Sequence, residues 1–114
     1  MPNFSSASVG AGDRSWLLTT HGLYDSITGT IEVSKFTAVD GVIKSGTAVD
    51  YSNLADVKPA TGSTKKLGFI VTDQDANKDP KQVVAILTHG AIKRDKLPAP
   101  GLPKDADNAA FTIV

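Results

Sequence analysis

Two short apolar runs constrain this chain more than anything else in it: residues 67–72 (Leu67, Gly68, Phe69, Ile70, Val71, Thr72) and residues 83–88 (Val83, Val84, Ala85, Ile86, Leu87, Thr88). Each is too short for a typical globular helix. Neither shows 3.6-residue apolar spacing, and both are rich in side chains that fit a pleated backbone. Residues 73–82, polar and carrying Asp79-Pro80, separate them. The pattern predicts two core strands joined as a long-looped antiparallel hairpin.

The flanking segments extend the β reading. Alternation through Thr30, Ile31, Glu32, Val33 and Ser34 predicts a strand with Ile31 and Val33 on one face, after turn material at Ser26, Thr28 and Gly29. Asp40-Gly41 suits a tight turn ahead of a short strand at Val42 and Ile43, and Ala48-Val49 follows. Residues 56–66, with Pro59 and Gly62, read as loop. His89-Gly90 marks a bulge or bend before Ala91, Ile92 and Lys93 resume the run. Pro98, Pro100 and Pro103 exclude helix and central strand, because each lacks a backbone donor. Residues 104–110 suit a single helical turn with Asp105 as N-cap, and Phe111, Thr112, Ile113 and Val114 alternate as a final strand. The expected fold is mainly β: a small compact barrel or sandwich-like domain of about six or seven short strands, with little helix and a flexible N-terminal arm.

A chain of 114 residues holds one such core. The expected division is residues 1–24 as a flexible arm with an adhesive segment and residues 25–114 as a single β-rich domain. The first dozen residues carry only Phe4 and Val9 as sizeable apolar groups, too little burial to offset chain entropy. Trp16, Leu17, Leu18, Leu23 and Tyr24 then cluster around Thr19, Thr20, His21 and Gly22. Two readings stand for Trp16: a buried core residue, or an anchor at the end of the mobile arm.

Composition removes several functions. Lys and Arg number 12, as do Asp and Glu, and the densest basic stretch, Lys93, Arg94 and Lys96, is broken by Asp95. A nucleic-acid partner is therefore not expected. The absence of cysteine excludes disulfides, thiolate metal sites and a Cys nucleophile. The longest uninterrupted apolar stretch, residues 83–87, is far below a membrane span, and the N-terminal residues lack the basic start and apolar centre of a secretory signal. A soluble protein with no membrane partner and no Sec-type export is expected.

Asp73, Asp75, Asn77 and Asp79 place oxygen donors at alternate positions, like the start of a calcium loop. The pattern then fails, with Lys78 where the turn glycine belongs and Val84 where a bidentate Glu is needed. His21 and His89 each precede glycine, and no Gly-x-Ser-x-Gly turn offers a nucleophile. Gly10-Ala11-Gly12 lacks a preceding apolar strand, and Gly62, Ser63, Thr64 and Lys65 invert the order of a phosphate loop. No catalytic, cofactor or metal site is expected, and enzymatic function is disfavoured.

Taken in order, several segments resemble the lambda-type head-decoration proteins of tailed bacteriophages. They are residues 41–49 (Gly41, Val42, Ile43, Lys44, Ser45, Gly46, Thr47, Ala48, Val49), residues 67–73, residues 83–98 containing His89-Gly90, and the terminal Ala110, Phe111, Thr112, Ile113 and Val114. Asp13, Arg14, Ser15, Trp16 and Leu17 with His21-Gly22, followed by residues 31–36, look like the longer-armed members. The resemblance runs from about Asp13 onward apart from residues 51–66, and order and spacing carry it rather than any single motif.

The resemblance implies a structural protein that binds the outside of an icosahedral head as a homotrimer and stabilises the expanded shell. Its partner would be the major capsid protein, its location the outer surface of the virion after synthesis in the bacterial host cytoplasm. It further implies that the N-terminal arm makes much of the capsid contact, through Phe4, Val9, Arg14, Trp16, Leu17 and Leu18. An extended arm of this kind adds backbone hydrogen bonds while side chains fill pockets, and three arms acting together offset the cost of ordering each. The alternative is a non-catalytic β-sandwich module that binds carbohydrate or peptide in a phage tail or surface protein.

Overall fold

The computed structural model describes residues 14–18, 25–98, 101–103 and 109–114. The described chain is mainly β, with a curled, half-barrel sheet. The described residues form nine strands in order: β1 (Ile27–Glu32), β2 (Val42–Ile43), β3 (Ala48–Asp50), β4 (Lys58–Pro59), β5 (Leu67–Ile70), β6 (Gln74–Asp75), β7 (Lys81–Leu87), β8 (Gly90–Ile92) and β9 (Phe111–Ile113). Short 3-10 turns occupy Val33–Lys35 and Arg94–Lys96.

The main sheet has the order β1-β7-β5-β3-β4, antiparallel throughout. The two apolar runs lie at its centre, Phe69 opposite Leu87 and Ile70 opposite Ile86. The apolarity of β5 follows from burial on both faces, whereas in β7 only the second half is largely buried and Val83 is 69% exposed. Ile70, Ile86 and Val49 enter a cluster with Ile31, Ile43, Val57 and Val84. Their neighbours Phe69, Leu87 and Ala48 enter an opposite cluster with Trp16, Leu67, Ile92 and Phe111. A period of two applied to strands covered on both sides thus divides one sheet between two cores.

The curl comes from β1. Its Thr30 N–H donates to the Leu54 carbonyl at 2.8 Å and its Thr30 carbonyl accepts from Val57 N–H at 2.9 Å, so the start of β4 is drawn toward the opposite edge. The expected loop at residues 56–66 therefore contains Val57, fully buried, and β4, whose Pro59 sits on an edge strand where a missing donor is tolerated. The strand ends earlier than expected, because the chain turns after Glu32, but Val33 still donates its N–H to the Pro80 carbonyl and packs against the same cluster as Ile31.

The Asp40-Gly41 turn forms as read. Both residues have positive φ, 54° and 77°, and Val39 and Val42 exchange hydrogen bonds across it at 2.8 and 3.0 Å. The polar connection after β5 is not all loop, because β6 pairs with β2 and so holds residues 71–75 beside residues 42–46. After Leu87 the chain leaves the main sheet, and β8 pairs with β9 in parallel. Of the proposed helical turn, residues 104–108 lie outside the described residues, while Ala109 and Ala110 are in a turn. Among the described residues no helix is long and apolar enough to cross a membrane.

Candidate functional site: a clasped N-terminal segment

Residues 14–18 are the described part of the segment expected to bind a partner. Phe4 and Val9, with the remainder of residues 1–13 and with residues 19–24, lie outside the described residues. The Leu17 N–H donates to the Arg14 carbonyl at 2.9 Å, closing a turn that directs Trp16 inward. The next residues run antiparallel to β8: Leu18 N–H donates to the Ala91 carbonyl at 3.0 Å, and Lys93 N–H to the Trp16 carbonyl at 2.7 Å. Strand β8 is thereby covered on one edge by this segment and on the other by β9.

Trp16 is 1% exposed. Its ring lies 5.8 Å from that of Phe69, which meets Phe111 edge-on at 4.9 Å. The indole N–H donates to Ser45 Oγ at 3.1 Å, and that hydroxyl donates to the Val71 carbonyl at 2.7 Å. The same carbonyl accepts from Arg14 Nε at 3.0 Å. A buried indole with its one donor satisfied is a core residue, because nothing polar is left stranded by burial. Gly46 makes the close approach possible. A Cβ there would stand 2.8 Å from Trp16 Cδ1 and Nε1 and 2.9 Å from Pro98 Cδ, at a φ of +94°.

Within the expected arm, residues 14–18 pack on the folded body, and of the two readings of Trp16 the core one holds, whereas its reading as a partner-binding anchor is corrected. Arg14 is half-buried on Val71, Leu17 packs against the same core, and Leu18 is exposed, at 47%. Burial wins because Phe69, Leu87, Ile92 and Phe111 on this side of the sheet need an apolar cover, which the large indole supplies.

The chemistry singled out at residues 73–79 resolves into turn contacts. Asp73 Oδ1 accepts from Ser45 N–H at 2.7 Å, Asp75 Oδ1 from Asn77 N–H at 2.9 Å, and the Asp75 and Asp79 carbonyls both accept from Gln82 Nε2. Among the described residues no three His, Asp or Glu side chains converge on a metal position. His89 Nε2 lies 3.4 Å from Asp25 Oδ2, and His21 is outside the described residues.

One carboxyl is displaced from its usual range. Burial pushes Asp50 up, but hydrogen bonds from the Ser52 N–H and hydroxyl and from the Thr64 hydroxyl, with Lys58 nearby, outweigh it and hold its pKa below 3.8. The folded-state value lies below the unfolded one, so the stability it adds is complete above about pH 4 and is lost as pH falls through the folded value. Asp50→Asn should flatten the acid side of the stability profile measured by urea unfolding. An acid limb identical to that of the parent would exclude this role.

No protein-family model, curated protein or solved structure matches the chain. Of the residues that seat the segment, Val71 was legible only as part of a core run, and Ser45 and Gly46 carry no local signal beyond a serine and a glycine among ordinary turn residues, indistinguishable from a solvated loop.

Proposed function

We propose that the chain is a structural virion protein that binds the outside of an icosahedral phage head as a trimer and stabilises the expanded shell. The observation that carries this reading is the ordered resemblance of residues 41–49, 67–73, 83–98 and 110–114 to lambda-type head-decoration proteins. A mainly β body is compatible with it. So is the balanced charge of 12 basic and 12 acidic residues, which suits contact with a protein shell better than contact with packaged DNA. In this reading the partner is the major capsid protein, and the capsid-binding arm shortens to residues 1–13, with its root held at Arg14.

Purified protein should co-sediment with expanded, undecorated heads and should itself sediment as a trimer or as a monomer in equilibrium with one. A small domain gains stability by burying a face against copies of itself. Failure to co-sediment with such heads, or a concentration-independent dimer, would overturn the reading.

A further inference from the structure

Charge is distributed differently in two surface clefts of about 210 Å³ each. One, lined by Thr30, Glu32, Lys35, Asp56 and Lys81 among others, is partly neutralised from within: Lys35 Nζ lies 3.1 Å from Asp56 Oδ1, and Lys58 reaches the same carboxylate at 3.9 Å. The other is lined by Lys44, Ser45, Asp73, Lys96 and Pro98. Here neither lysine has an acidic partner within 4.0 Å among the described residues.

The walls of this second cleft are set by the core beneath it. Ser45 is buried, its N–H held by Asp73 and its hydroxyl held between Trp16 and Val71. Pro98 borders Gly46 next to the Trp16 ring. The two lysines are the exposed, movable members. Among the described lining residues two lysines stand against the single carboxylate of Asp73, an excess of one positive formal charge that a single monoanion would balance. A phosphate group, at about −1.5 to −2, would exceed that charge. A nucleic-acid backbone needs a row of cations, whereas Lys93, Arg94 and Lys96 are interrupted by Asp95.

We propose that the cleft formed by Lys44, Asp73 and Lys96 receives one carboxylate side chain, Asp or Glu, of a partner protein. The choice of a protein as the source rests on the proposed role at a protein shell. Its position fits that role: Arg14, where residues 1–13 join the body, bonds the same Val71 carbonyl as Ser45.

The test uses the full chain, a hexaglutamate peptide and inorganic phosphate as probes, and amide chemical shifts as readout. Hexaglutamate should give saturable shifts at Lys44, Ser45 and Lys96 that weaken with added salt. Lys44→Gln with Lys96→Gln should raise its Kd about tenfold, while Lys35→Gln leaves it unchanged. Absence of saturable shifts, equal binding by the double variant, or phosphate binding as tightly as the peptide would each overturn the proposal. Head co-sedimentation separates the two claims. Heads that bind while hexaglutamate gives no shifts would remove the cleft and keep the role, and the converse would keep the cleft and remove the role.

Discussion

Trp16→Ala should lower stability by about 3–5 kcal/mol, the usual cost of truncating a large aromatic inside a core. The melting temperature should fall by more than about 10 °C in a domain of this size. Three losses combine. The Phe69 ring loses its neighbour at 5.8 Å, the cavity lies in a core that also holds Leu87, Ile92 and Phe111, and Ser45 Oγ loses its donor. Trp16→Phe should recover most of the packing but not the hydrogen bond, leaving a deficit of about 1–2 kcal/mol. Urea unfolding of the three proteins measures both values. Had Trp16 been an exposed anchor for a partner, both substitutions would leave the melting temperature near that of the parent, and that outcome would remove the segment from the core.

Two truncations that differ by five residues should behave in opposite ways. Removing residues 1–13 leaves Arg14 on Val71 and Trp16 in its seat, so stability should change by less than about 0.5 kcal/mol. Under the proposed role, attachment to heads should nevertheless be lost. Removing residues 1–18 takes away the indole and the backbone bonds to Ala91 and Lys93, and exposes an edge of β8. Its cost should at least equal that of Trp16→Ala, with a greater tendency to associate through the uncovered edge. Thermal melts and sedimentation of the two truncated chains distinguish the cases. Equal stability in both would show that residues 14–18 contribute nothing to the body, while full-affinity head binding without residues 1–13 would place the capsid contact elsewhere.

The pairing of β5 with β7 was legible because β5 is buried along its whole length and the second half of β7, from Val84 to Leu87, is largely buried too, so apolar residues follow one another there without a helical period. The Asp40-Gly41 turn was legible for a different reason: few residues accept consecutive positive φ, and this dipeptide does. Strands β8 and β9 were legible as the run resumed after His89-Gly90 and the alternation at the last four residues, but their parallel pairing was not. Strands β4 and β6 left no comparable mark, since each is two residues long, too short for an alternation to stand out from a loop.

The placement of residues 14–18 was beyond local reading because their side-chain partners are distant. Trp16 bonds Ser45, 29 positions on, and Arg14 bonds Val71, 57 positions on. The Lys44 and Lys96 cleft has the same origin, drawn from segments around positions 44, 73 and 96 that the β2–β6 pair and the clasped segment bring together.

Class and central hairpin therefore follow from residue pattern, since burial on both faces of a strand writes itself into consecutive side chains. Whether an apolar Trp-Leu-Leu segment seeks its own core or a partner's surface is not written that way. Hydrophobic burial is non-directional and rewards either. The choice was made by an open side of the sheet, lined by Phe69, Leu87, Ile92 and Phe111, which Trp16 covers.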